Sequence, residues 1–69
     1  MKQVVIIDGM KCDGCAQNVS ERLSGIQGIE RVLVDISSKN ATIETEREIT
    51  KAEYIDALVD TKYDVVEVN

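Results

Sequence analysis

Apolar positions along this chain follow two different periods, and the changes between them mark out its elements. Val4, Val5, Ile6 and Ile7 form an unbroken run of β-branched residues. The run predicts a first strand over Gln3–Asp8, since such side chains suit a pleated backbone. Val5 and Ile7 would share one face and Val4 and Ile6 the other, so periodicity does not choose the inward one. Gly9 ends the strand and lets the backbone turn. From Asp13 the spacing becomes helical, with Cys15, Val19, Leu23 and Ile26 recurring at intervals of four, four and three. Gln17, Asn18, Ser20, Glu21, Arg22 and Ser24 fill the other faces and suit water. This predicts a helix over about Asp13–Ser24, ended by Gly25 or Gly28. Cys15 then lies in the first turn and Cys12 just before it.

The second half repeats the pattern. Ile29–Ser37 predicts a strand in which Val32, Val34 and Ile36 alternate against Leu33 and Asp35. Ser38-Lys39-Asn40 reads as a turn, with Asn40 the residue suited to left-handed backbone. Ala41–Glu46 alternates cleanly and predicts a third strand with its Thr and Glu residues facing water, close enough to the second to form a hairpin. Thr50 and Glu53 have capping-box spacing and open a second helix, with Ile49 placed to pack back onto its first turn. Ala52, Ile55, Leu58 and Val59 are the expected buried stripe; Lys51, Glu53, Asp56 and Asp60 stay outside. Lys62 suits the end of this helix, where a cation meets the helix dipole. Tyr63–Val68 predicts the last strand. Two strand–helix–strand halves folded back on a hairpin imply an α+β fold, the ferredoxin-like βαββαβ sandwich. It has a four-stranded antiparallel sheet with both helices on one face. Nothing resembling a linker interrupts residues 1–69, which read as a single domain.

Composition narrows what such a fold can do. At 69 residues the chain buries only roughly 60% of its unfolded surface, which leaves no room for a deep cleft. Its 13 Asp and Glu against 8 Lys and Arg give a net charge of -5, which argues against nucleic acid, because phosphate contacts need a basic face. Two tyrosines are the only aromatics, too few for a base-stacking surface. No segment approaches the ~20 apolar residues of a bilayer span, so direct membrane insertion is not expected. Met1-Lys2-Gln3 leads straight into a strand and does not resemble a secretory signal. A reducing, cytoplasmic location is therefore expected, and there a Cys-x-x-Cys pair is metal-binding or redox-active more often than structural.

The chemistry concentrates in Cys12 and Cys15, the only cysteines, in a chain without histidine. A bridge between them would close too short a loop to restrain the unfolded chain much, so they make poor staples. Thiol pKa values fall near a helix N-terminus or a cation, which favours Cys15 in the first turn and Cys12 beside Lys11. Thiolates are soft ligands that select Cu(I) and also accommodate Zn(II). Two thiolates suffice for near-linear Cu(I). Zinc usually takes four ligands, and here only Asp13 stands near enough in sequence to add one, though it also suits capping the helix. No base, oxyanion donor or nucleophile–base pair points to an enzyme. Dithiol redox chemistry is the rival reading, but the proline that thioredoxin-like sites place opposite their cysteines has no counterpart in a chain without proline.

Gly9-Met10-x-Cys12-x-x-Cys15, after a short strand and opening a helix, resembles the heavy-metal-associated domain family over essentially the whole chain. The resemblance implies Cu(I) ligation by Cys12 and Cys15, with Met10 packed beneath the loop. It places Tyr63 beside the metal site, although Lys62-Tyr63 stands where the family commonly has Gly-Tyr. It also implies a cytoplasmic copper chaperone that passes Cu(I) by thiolate exchange to a copper-transporting P-type ATPase or a copper-responsive regulator. The alternatives are an excised metal-binding domain of a heavy-metal ATPase, a carrier of zinc, cadmium or mercury, and a dithiol redox protein. A monomer is expected without metal, with a metal-bridged dimer as the alternative.

Overall fold

The structure, a computed structural model, describes residues 1–69. Its elements run β1 (Lys2–Asp8), α1 (Asp13–Ser24), β2 (Ile29–Asp35), β3 (Asn40–Thr45), α2 (Lys51–Ala57) and β4 (Asp64–Val68). The strands form one antiparallel sheet in the order β2-β3-β1-β4. This is the expected ferredoxin-like βαββαβ arrangement, and α1 occupies the predicted span.

The sheet resolves the ambiguity of the first strand. Val5 and Ile7 are fully buried, while Val4 and Ile6 line the opposite face and are only half-buried. Val5 and Ile7 pack with Ala41 and Ile43 of β3, Val19 and Leu23 of α1, and Tyr54 and Leu58 around α2, in one cluster. Burying each large aliphatic side chain stabilises the fold by about 1.5–3 kcal/mol. On the open face, Val4 pairs with Thr42, and Thr42 with Leu33. Leu33 is accordingly exposed, as the alternation predicts. No helix is long and apolar enough to cross a membrane.

Several expectations need correction. Ile36 and Ser37 lie beyond β2, which ends at Asp35. The left-handed residue of the hairpin turn is Lys39 (φ 58), with Asn40 already in β3. Thr45 is not solvated: it is fully buried, and its hydroxyl lies between the carbonyls of Gly28 (3.0 Å) and Arg47 (2.9 Å). The largest difference is in α2. Its capping box forms as predicted, with the Glu53 amide donating to the Thr50 hydroxyl and the Thr50 amide to the Glu53 carboxylate. Ile49 is buried against it. The buried side, however, is Tyr54 and Leu58 with Ala57 partly covered, while Ala52 is exposed, Ile55 is 47% exposed and Val59 is 67% exposed. The helix has seven residues, too few for a stripe to dominate, and the aromatic ring sets its roll. The Tyr54 hydroxyl donates to Gln3 Oε1 at 3.0 Å, and the Gln3 amide also pairs with both the N–H and the carbonyl of Ile49. Because α2 ends at Ala57, Lys62 is not part of its last turn, and Tyr63 precedes β4.

Candidate metal centre

The site lies where the chain leaves β1 and enters α1. Gly9 has φ +97, a region that side chains rarely adopt, and a Cβ there would stand 2.9 Å from the Lys62 carbonyl oxygen. Glycine thus lets the end of β1 press against the loop before β4. That contact brings Tyr63, distant in sequence, to the cysteines. Met10 is buried beneath the loop, in the packing role that the resemblance implies.

Cys12 is the N-cap of α1, with extended backbone (φ -154, ψ 171) and an exposed side chain. Its carbonyl accepts from the amides of Cys15 (3.0 Å) and Ala16 (3.2 Å), which opens the helix. Cys15, one turn in, is buried. The two sulfurs stand 3.5 Å apart. Two metal–sulfur bonds of about 2.3 Å in a straight line would need a separation of ~4.6 Å. The pair must therefore open by roughly 1 Å to hold a linear ion, a small rotation for the exposed Cys12 side chain. The residues present fit a two-thiolate site.

The Cys15 thiol is biased toward its thiolate. Its thiol is lowered from 9.0 to about 6, first by the Tyr63 hydroxyl, then by the Lys11 amide and the Cys12 thiol, against the opposing effect of burial. Reciprocally, the thiolate raises the Tyr63 hydroxyl, while a hydrogen bond with Asn18 acts the other way. Thus Lys11 acts on Cys15 through its backbone N–H, and its side chain is exposed.

Asp13 does not cap the helix. It is the first helical residue, exposed, while the cap is Cys12, which makes no side-chain capping bond. Nor does it join the sulfurs as a ligand: no group of three His, Cys, Asp or Glu side chains comes together in this structure. Lys62 is exposed beside the site, and Tyr63 is buried against it. The sequence reading missed Asn18. Its position three residues after Cys15, on the same side of α1, was the available signal.

The arrangement matches known proteins closely. The family model for the heavy-metal-associated domain matches residues 4–64. A mercuric reductase of Acidithiobacillus ferrooxidans is 36% identical over 59 residues, covering 86% of this chain but 11% of the reductase, so the chain spans about a tenth of that relative's length. Among solved structures, a CopZ metallochaperone superimposes with a TM-score of 0.83 at 24% identity, covering 96% of this chain and 100% of that one. The N-terminal domain of ZntA in its apo form gives 0.81 at 22% identity, covering 94% and 88% respectively. The chain belongs to the heavy-metal-associated domain family.

Proposed function

We propose that this heavy-metal-associated domain is a copper chaperone that carries Cu(I) on Cys12 and Cys15. The observation behind this reading is the pair of sulfurs 3.5 Å apart at the mouth of α1, with no third protein ligand at hand. Soft thiolates and a low coordination number favour Cu(I) over zinc, which would lack two of its usual four ligands. A two-coordinate ion on an exposed loop stays open to an incoming thiolate. A partner bearing two thiols adds the first sulfur to the ion as its proton leaves, and a three-coordinate intermediate forms. The second sulfur follows in the same way, and the bonds to Cys12 and Cys15 break as those cysteines take up protons. A copper-transporting P-type ATPase or a copper-responsive regulator fits the partner's part. A reducing, cytoplasmic setting suits thiols that must stay free.

The likeness to a mercuric reductase favours a second reading, in which the cargo is Hg(II), another soft ion satisfied by two thiolates. Titration of the reduced protein without oxygen, with Cu(I), Hg(II) and Zn(II) separately against competing chelators, tests both. One tightly held Cu(I) per chain, weak zinc binding and loss of Cu(I) binding in Cys12→Ser/Cys15→Ser are expected. Retention of Cu(I) by that double variant, or tighter binding of zinc than copper, overturns the reading. Tight Hg(II) with displaceable Cu(I) favours the second.

A further inference from the structure

A groove between α1 and the segment before β4 is lined by Asn18, Arg22, Thr61, Lys62 and Tyr63. Two of these residues are cations and none is acidic, in a chain of net charge -5. The two other surface grooves each include carboxylates, Glu53 and Asp56 in one and Asp64 in the other. Tyr63 connects the cationic groove to the cysteine loop, because it lines the groove, is buried, and its backbone lies against Gly9 at the start of that loop. Cys15, Asn18 and Arg22 follow one another at intervals of three and four along α1, so the groove's α1 residues lie on the same side of the helix as Cys15, one and two turns further on. The nearest opposing charge is Asp60, 3.8 Å from Arg22, with its own side chain 77% exposed. Such a long, solvated pair is worth little and yields to an entering anion.

We propose that this groove binds the carboxylate of a small thiol whose sulfur becomes the third ligand of the ion on Cys12 and Cys15. The inference rests on the metal-binding reading above. Arg22 and Lys62 supply charge-assisted donors for the carboxylate, and Asn18 a neutral one. As the sulfur approaches the ion, its thiol proton passes to solvent and one metal–sulfur bond forms, with no change of oxidation state. The two other grooves carry carboxylates that disfavour such an anion, so of the three this one suits its approach. Small acidic thiols thereby gain a path to load or unload the ion that neutral thiols lack.

Two measurements test this. In the reduced, metal-free protein, methylthiopropionate, which carries the carboxylate but no free thiol, should shift the amide resonances of Asn18, Arg22, Thr61 and Lys62. Its methyl ester should not, and the Arg22→Gln/Lys62→Gln protein should lose the effect. In the Cu(I)-loaded protein, mercaptopropionate should bind about three- to tenfold more tightly to the wild type than to the double variant, the range expected of two exposed charge contacts. Mercaptoethanol should bind both alike. Absence of shifts in the groove, or equal weakening of both thiols by the substitutions, overturns the proposal. Failure to retain Cu(I) with no added thiol marks failure of the metal-binding reading instead, because the metal-free measurement reports on the groove by itself.

Discussion

Burial alone would make Cys15 a poor ligand, since a buried thiol resists losing its proton. The hydrogen bonds around it win: a Tyr63 hydroxyl and backbone amides of Lys11 and Cys12 all favour the thiolate, and the thiol titrates at about 6. Tyr63→Phe should therefore move the Cys15 midpoint upward, read from the thiolate ultraviolet absorbance of the reduced, metal-free protein. An unmoved midpoint would assign the effect to the amides. Stability follows the same linkage. The folded thiol lies below its ordinary 9.0, so its contribution is complete above pH 9 and is lost as pH falls through 6. The reduced apoprotein should then resist urea better at pH 9 than at pH 6, with a smaller difference in Tyr63→Phe. Gly9 acts one step further back. Gly9→Ala meets both a left-handed backbone and a carbonyl at 2.9 Å, and should destabilise the fold by at least about 2 kcal/mol in urea denaturation.

At the scale of elements, short helices take their orientation from single anchors. The capping box was readable as Thr50-x-x-Glu53 because it is local. The roll of α2 was not, because it depends on Tyr54 finding Gln3 on β1, a pairing that no periodicity reveals. Gln3→Ala strands the Tyr54 hydroxyl and both backbone groups of Ile49 in the interior. It should cost about 2–4 kcal/mol in chemical denaturation, against under about 0.5 kcal/mol for an exposed change such as Ala52→Ser. The start of α2 also carries a pH signature. The Arg47 guanidinium, bonded to both Glu53 oxygens at 3.2 and 2.8 Å, and the Thr50 amide hold the Glu53 carboxyl near 2 instead of 4.5. A depressed carboxyl stabilises the fold above its unfolded value, and that contribution is lost as pH falls from 4.5 toward 2. Glu53→Gln should flatten this part of the acid-unfolding curve, measured by circular dichroism; an unchanged slope would place the acid sensitivity elsewhere.

At the scale of the whole molecule, element order and the cysteine loop were legible because both are written in contiguous residues. What surrounds the loop was legible only in part: the family resemblance placed Tyr63 beside it, but the close approach of Gly9 to the Lys62–Tyr63 backbone forms only once β1 and β4 lie side by side. That division bears on how far metal binding and folding depend on one another. An ion that binds only the native state stabilises it by about 4 kcal/mol at a thousandfold excess over its dissociation constant. Here the two candidate ligands lie three residues apart, so the unfolded chain retains a usable chelating pair, and binding to it subtracts from that gain. What the fold adds is the environment of Cys15, with its hydroxyl and amide donors. Saturation with Cu(I) should therefore raise the unfolding free energy by clearly less than the linkage value, measured by urea denaturation of loaded and metal-free protein. Tyr63→Phe should shrink the gain further, because it removes part of what distinguishes the folded site from the free chain. A gain equal to the full linkage value would mean that the unfolded pair holds no copper, and that the fold itself makes the site.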